Sequence, residues 1–277
     1  MSADLHCHTR ASDGSDTAEE VVRMAKRNGL SAVAVTDHDT FEGAREAVSA
    51  GKKYGIRVVP GAEFSCTDSA TGRKAHVLCY RCAEPDRLKN LCRSTCEARR
   101  RAGEAMLEKV TALYPISAEM VLRRAGPCAS LYKQHIMHAL IDAGYASEFF
   151  GDLFHRLFSA KGGKAYVAVE YPEVRDVIGQ IRRAGGLAVL AHPSEYDSYE
   201  LLDSLAASHM IDGVEVWHPR NSAEDVKRFA AVAGEYGLLM TGGTDFHGMY
   251  TKLPHPVGTC TAPDGEVERL LRRKRSG

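Results

Sequence analysis

The chain carries no net charge, since 36 Lys and Arg balance 36 Asp and Glu over 277 residues. Such a surface gives no electrostatic footprint for a polyanion, so no stable nucleic-acid partner is expected. No apolar run approaches the roughly 18 residues that a membrane-spanning helix needs, and no membrane partner is expected. The N-terminus lacks the basic-then-apolar pattern of an export signal, because Asp4, His6 and His8 interrupt it. A cytoplasmic location follows as the expectation. Also missing is any obvious Cys- or Ser-centred nucleophile motif. The eight cysteines, in a long chain without an export signal, read as reduced thiols. Cys79 and Cys82 form a C-x-x-C, but Cys92 and Cys96 beyond it have the wrong spacing for a zinc knuckle. Two basic runs, Arg99 to Arg101 in "CEARRRAG" and the tail "RLLRRKRSG", read as solvated helix faces.

What the chain does have is a rhythm of short apolar runs and helical patterns. "TAEEVVRMAKRNGL" opens with the capping-box pair Thr17 and Glu20 and stops at Gly29. "SAVAVTDHD" reads as a strand, "TFEGAREAVSAGKKYGI" as a helix, and "IRVVPGAEFSC" and "KAHVLCY" as strands. The rhythm then breaks and resumes near "KAYVAVE". "PEVRDVIGQIRRAGG" places Val174, Val177, Ile178 and Ile181 on one helical face. "GLAVLAHP", "DGVEVWHP" and "LLMTGGTDFH" complete the strands, with the helix "SAEDVKRFAAVAGEYG" between the last two. Near-uniformly apolar strands alternating with helices predict an α/β fold: a parallel sheet covered by helices, most simply a barrel of about seven strands. Residues 81–163 are helical in pattern, Arg-rich and free of strand signals. They read as a small helical subdomain inserted between barrel segments 1–80 and 164–277.

The polar residues punctuate this pattern at strand ends. His6 and His8 lie two apart on a strand and so share a face. Asp37, His38 and Asp39 end the second strand, Glu63 follows another, His192 ends "AVLAHP", and Asp245 and His247 end the last. In a parallel α/β sheet these ends converge on one side, where active sites are built. His76 is an exception, since "AHVLCY" puts it at the start of its strand. With Asp13, the set is His6, His8, Asp13, His38, Glu63, His76, His192, Asp245 and His247, which is more than one ion takes. Two to three divalent ions are implied, and imidazole with carboxylate suits Mn²⁺, Zn²⁺ or Fe²⁺ better than Ca²⁺ or Mg²⁺.

The ordered segments "DLHCHTRASDG", "VTDHDT", "GAEFSC", "AHVLCY", "LAHP" and "GGTDFHG" resemble the successive motifs of the polymerase and histidinol phosphatase (PHP) family. The resemblance covers nearly all the chain outside the insertion. It implies a distorted (β/α)7 barrel with a trinuclear metal centre. By motif, His6, His8, Glu63 and Asp245 would hold the first ion, and Asp13, His38 and His247 the second. Glu63 would bridge to the third, on His76 and His192. Glu63, Asp245 and His247 are the candidate catalytic residues.

Clustered divalent ions suit phosphate esters, because they activate water at neutral pH and neutralise charge on the phosphoryl group. The expected reaction is in-line attack of a metal-bridging hydroxide on a small phosphorylated metabolite, with a phosphomonoester resembling a nucleotide bisphosphate as the leading substrate class. The alternatives are a phosphodiesterase acting on a cyclic phosphate or an oligoribonucleotide end, and an amidohydrolase cleaving a C–N bond. Five residues are candidates for substrate contact. Lys133 and His135 in "SLYKQHIMHALIDAGY" resemble an R-x-H-x-A segment whose Arg and His contact substrate phosphate in relatives. Here Lys replaces the Arg, a point charge in place of a bidentate fork. Lys164 lies in "GGKAYV", and His218 and Arg220 in "VEVWHPRNS".

Overall fold

A computed structural model describes residues 2–126, 128 and 130–273. The elements run β1 (Ser2–Asp4), α1 (Ala18–Arg27), β2 (Ala32–Val35), α2 (Glu42–Tyr54), β3 (Arg57–Asp68) and β4 (Arg73–Tyr80). A short 3₁₀ turn at Pro85–Leu88 leads to α3 (Lys89–Leu113), α4 (Ala118–Ala125), α5 (Lys133–Asp142) and α6 (Asp152–Phe158). Then come α7 (Val174–Arg183), β5 (Leu187–Leu190), α8 (Tyr199–Ala207), β6 (Gly213–Trp217), α9 (Ala223–Tyr236), β7 (Leu239–Gly242), β8 (Ala262–Pro263) and α10 (Asp264–Arg272).

The strands form one eight-stranded sheet in the order β7-β6-β5-β4-β3-β2-β1-β8, curled into a nearly closed, distorted (β/α) barrel. β1, β2 and β3 are mutually parallel, as are β5, β6 and β7. The expectation of an all-parallel sheet is corrected at two strands. β4 runs antiparallel to both β3 and β5, because β3 turns directly into it, and the short β8 runs antiparallel to β1. The reversal of β4 resolves the exception at His76. The first half of an antiparallel strand lies at the same end of the sheet as the last halves of its parallel neighbours, and His76 pairs there with Ser65.

The segment "KAYVAVE", near which the alternation resumes, forms no strand. The amides of Lys164 and Ala165 donate to the carbonyls of Arg156 and Leu157 at α6, and Ala165 joins the core of the helical segment. The alternating apolar residues therefore serve helix packing. The helical segment has its own apolar cluster, built from Met106, Val110, Val121, Ile136, Leu140, Leu157 and neighbours. Leu88 and Leu91, at its entrance, pack instead into the cluster beneath α7 and α8.

Local signals act as the sequence indicated. Thr17 caps α1 by accepting from the Glu20 amide, and the Glu20 carboxylate accepts from the Thr17 amide in return. Ser222 and Asp225 do the same for α9. Within the strands, Ala3, Ala34, Val59, Leu78, Val189 and Leu239 belong to one buried cluster. On the parallel strands each of these precedes a candidate ligand by a few residues, so the apolar plug lies below the polar end. The eight cysteines are free.

Candidate metal centre

The barrel closes at the polar end. Beyond β1, the Leu5 amide donates to the Gly242 carbonyl at 3.0 Å, and the His8 amide to the Phe246 carbonyl at 2.8 Å. Continuations of the first and last parallel strands thus pair where His6, His8, Asp245 and His247 project. Gly243 permits this approach, because a Cβ there would lie 2.3 Å from the His6 Cβ. On the next pair, His38 bridges Glu63, and the Asp39 amide donates to the Glu63 carbonyl at 2.8 Å. Asp39, His192 and Asp245 all have left-handed backbones at the ends of their strands.

Glu63 is the centre of the arrangement. Its Oε1 lies 3.0 Å from His76 Nδ1 and 2.9 Å from His192 Nε2. Its Oε2 lies 3.4 Å from His6 Nε2, 3.3 Å from His8 Nε2 and 3.1 Å from His38 Nδ1. Asp245 Oδ1 lies 3.5 Å from His6 Nε2 and 3.2 Å from His8 Nε2. Asp13 is 3.3 Å from His247 Nε2, 3.6 Å from His8 Nδ1 and 3.8 Å from His38 Nε2. All nine expected ligand residues therefore meet in one cluster. Donors held at about 2.0–2.2 Å by one ion sit about 3–3.5 Å from each other, so these spacings fit shared ions. Donor atoms fall within 4.8 Å in the sets His8–Asp13–His38–His247, His6–His8–Glu63, His38–Glu63–His76 and His6–His192–Glu215. The Nδ1 atoms of His38 and His192 are buried without a hydrogen-bond partner.

Charge is distributed accordingly. Burial pushes the Glu63 carboxyl upward, but the imidazoles of His76, His6 and His38 outweigh it and hold the group well below its usual range. Asp245 behaves in the same way through His6 and His247, and Asp13 through His247 and His38. Burial works to lower His8, yet bonds to Asp245 and Glu63 push it up to about 10. Buried carboxylates that serve the backbone go the other way. Burial raises Asp4 and Asp37, which accept respectively from the Thr244 and Gly258 amides and from Thr9 and Ser12. The cluster is thus a pocket of ionised carboxylates among imidazoles, suited to divalent transition metals. Asp245 and His247 keep 25% and 15% of their side-chain surface, so the cluster opens on their side.

The five candidates for substrate contact separate. His218 is buried, with Nε2 3.4 Å from Asp245 Oδ2, inside the cluster itself. His135 is buried on α5 beside Tyr132 and Tyr250, and burial pushes its imidazole down to about 4. Its neighbour Gln134 donates to Asp13 at 3.3 Å. Lys133 is half-buried, over the ring of Tyr166 at 4.9 Å. Lys164 is exposed and engaged through its backbone amide. Arg220 is exposed, with Nη1 2.6 Å from both oxygens of Glu195.

Two residues escaped the sequence reading. Glu215 on β6 accepts the His192 amide at 2.9 Å and lies 3.0 Å from His6 Nδ1, which turns His6 Nε2 toward Glu63 and Asp245. Arg99 corrects the expectation of a solvated face. It is buried, donating to Asp39 and Ser65 at 2.8 Å each, whereas Arg100 and Arg101 are exposed and pair with Glu104 and Glu97. A lone Glu in an apolar strand was the available signal for Glu215; Arg99 gave none, being one of three adjacent arginines. The tail residues Lys274 and Arg275 lie outside the described residues. No Cys belongs to a potential metal-holding group among the described residues. A groove of about 990 Å³, lined by His38, Asp39, Phe41, Cys96 and Tyr132 among others, leads from the cluster along α3.

Comparison with known proteins agrees with this geometry. A family model described as PHP domain matches residues 4–186. The chain is 39% identical over 257 residues to phosphoribosyl 1,2-cyclic phosphate 1,2-diphosphodiesterase of Eggerthella lenta, covering 92% of this chain and 97% of that one. It is 32% identical over 256 residues to 3′,5′-nucleoside bisphosphate phosphatase of Chromobacterium violaceum, covering 88% and 86%. Among solved structures, a protein of Bifidobacterium adolescentis described as a metal-dependent phosphoesterase superposes with a TM-score of 0.89 at 32% identity, covering 99% of this chain and 96% of that one.

Proposed function

Because the chain belongs to the PHP domain family and is a metal-dependent phosphoric ester hydrolase, we propose that it cleaves a phosphate ester of a small metabolite that carries more than one ester bond to phosphorus or more than one phosphate. His6, His8, Asp13, His38, Glu63, His76, His192, Asp245 and His247 hold two to three Mn²⁺, Zn²⁺ or Fe²⁺ ions. When bound, those ions supply an activated water and neutralise charge on the phosphoryl oxygens. The observation that carries this reading is Glu63, whose two oxygens face five imidazoles, so that its carboxylate would be shared between separate ions. Glu63, Asp245 and His247 are the residues that hold the reacting centre in place. Asp245 and His247 line the open side, where the substrate enters. Lys133 and His135 approach from the helical segment 81–163, which we take as the subdomain that covers the site and selects the substrate. No helix among the described residues is long and apolar enough to cross a membrane.

A bisphosphate resembling a nucleotide is the leading substrate class. The similarity to a cyclic phosphate diesterase over 97% of its length favours a second reading, opening of a cyclic phosphodiester. Phosphate release by manganese-loaded protein separates them across p-nitrophenyl phosphate, adenosine 3′,5′-bisphosphate and ribose cyclic phosphates. Release from the bisphosphate with inert cyclic esters supports the first reading, and ring opening with a slow bisphosphate supports the second. Silence on every ester overturns both.

A further inference from the structure

One of the sets able to hold an ion, His8–Asp13–His38–His247, differs from the rest of the cluster in how its members are carried. Glu63 and His76 lie on β3 and β4, and Glu215 of β6 fixes both His6 and His192. Asp13 and His247 instead sit in loops, beyond the ends of β1 and β7. They face each other at 3.3 Å on the open side of the cluster. A loop residue has no ladder to hold its side chain, so other contacts must aim it.

Those contacts come from α5. Gln134 and His138 are one helical turn apart and share a face of that helix. Gln134 Nε2 donates to Asp13 Oδ2 at 3.3 Å, while Asp13 Oδ1 faces His247 and His8. His138 Nδ1 lies 2.9 Å from the Tyr250 hydroxyl, and Asp142, itself paired with Arg124, lies 3.9 Å from its Nε2. A carboxylate on that side favours the proton on Nε2, so Nδ1 accepts from the phenol. Tyr250 is buried against His135, His138 and Phe149, and its amide closes a turn onto the His247 carbonyl at 3.3 Å. Ser15 holds the same turn from the other side. Its amide donates to the His247 carbonyl at 3.2 Å, and its hydroxyl accepts from the Met249 amide at 2.9 Å. His247 Nδ1 is engaged by the Asp245 carbonyl at 2.8 Å, which turns Nε2 toward Asp13.

We propose that Gln134, His138 and Tyr250 are positioning residues, through which the helical segment sets the affinity of this one ion position. The proposal rests on the metal-centre reading and adds what controls one position within it. Gln134 fixes the Asp13 carboxylate, and the His138–Tyr250 bond fixes the turn that carries His247. One helix therefore aims two ligands of the same ion. Glu63, His76 and His192 are bonded to one another and to the barrel, so the ions they hold draw their alignment from the strands. Linkage makes the effect reciprocal: an ion seated between Asp13 and His247 tightens α5 onto the barrel in return.

The test titrates chelator-stripped, full-length wild type with Mn²⁺ by calorimetry, beside Gln134→Leu, Tyr250→Phe, His138→Leu and His138→Asn. Thermal unfolding of each metal-free protein reads the integrity of the fold. Wild type is expected to take up at least two ions in separate steps. Gln134→Leu and Tyr250→Phe should each weaken one and the same step about tenfold and leave the others unchanged. His138→Leu should match Tyr250→Phe, and the two together should cost no more than either alone, since they break one bond. His138→Asn keeps a polar atom near the Nδ1 position and should recover most of the loss. Tyr250→Phe removes a single oxygen, so it decides the matter even where a bolder variant unfolds. Hydrogen exchange gives the reciprocal readout: filling that step should slow exchange along α5 in wild type and not in Gln134→Leu/Tyr250→Phe. Equal weakening of every step, different steps for Gln134 and Tyr250, or unchanged titrations in variants of lowered metal-free Tm would overturn the proposal and leave α5 a packing helix. Uptake of one ion or none by wild type would defeat the metal-centre reading before any variant is compared, and this proposal with it.

Discussion

Glu63 illustrates how much a single carboxylate can organise. One oxygen faces His76 and His192 and the other faces His6, His8 and His38. Glu63→Gln keeps the shape but replaces one acceptor oxygen with a donor amide and removes the charge. The expected result is a fall in kcat of several orders of magnitude, with an unchanged circular-dichroism spectrum and fewer metal equivalents by elemental analysis. Near-normal turnover in that variant would move the bridge elsewhere. Glu63 was legible because it follows an apolar strand in "PGAEFS". Glu215 was not, because one acid among "VEVW" reads as the solvent-facing member of an alternating strand. Only closure of the barrel makes both faces of β6 interior, and Glu215 is then 0% exposed against His6. Its role is positional. Glu215→Gln should weaken metal binding about 10–100-fold, read by metal titration. A variant that lowers thermal stability yet leaves the metal titration unchanged would make Glu215 merely structural.

At the scale of elements, the alternation of strand and helix was readable from apolar pattern and caps, and the errors cluster where two elements share one pattern. β4 and "KAYVAVE" look alike as short apolar runs. The first gains eight residues of ladder against β3, and the second spends its amides on α6. Strand direction is not written in such runs; it follows from the tight connection between β3 and β4, which forces a reversal. Arg99 shows the same limit on a helix. Its neighbours Arg100 and Arg101 point to solvent, and the rotation of α3 against β2 alone decides which of the three is buried. That contact ties the helical segment to the metal cluster, since Asp39 directly follows His38. Arg99→Met leaves the Asp39 carboxylate buried without its cation, and the expected cost is about 3–5 kcal/mol. Urea unfolding checks it, with Arg99→Met/Asp39→Asn as the paired control. The double variant should recover much of the loss, since no buried charge then remains unpaired. A single variant as stable as wild type would mean that water reaches Asp39 and the tie is weak.

Across the whole molecule, the candidate ligands run from His6 to His247, and no short segment holds a complete set. Among the described residues, the first and last parallel strands meet through their continuations, in the hydrogen bonds of Leu5 with Gly242, His8 with Phe246 and Phe246 with His6. The barrel is therefore closed by the same residues that build the cluster. Without metal, that seam must hold four ionised carboxylates (Asp13, Glu63, Glu215 and Asp245) and their imidazoles together by proton-sharing contacts alone. An ion bound to native protein and not to the unfolded chain stabilises by about 2.7 kcal/mol at a hundredfold excess over its Kd. In a chain of this size that corresponds to roughly 5–10 °C in Tm for each such ion. Chelation should accordingly lower Tm by at least that amount, and manganese added back should restore it in a concentration-dependent way. Glu63→Gln should show a reduced response if its carboxylate is the bridge proposed above. A Tm indifferent to chelator in wild type would mean that the seam holds without its ions. The cluster would then be a feature of catalysis that the fold does not need.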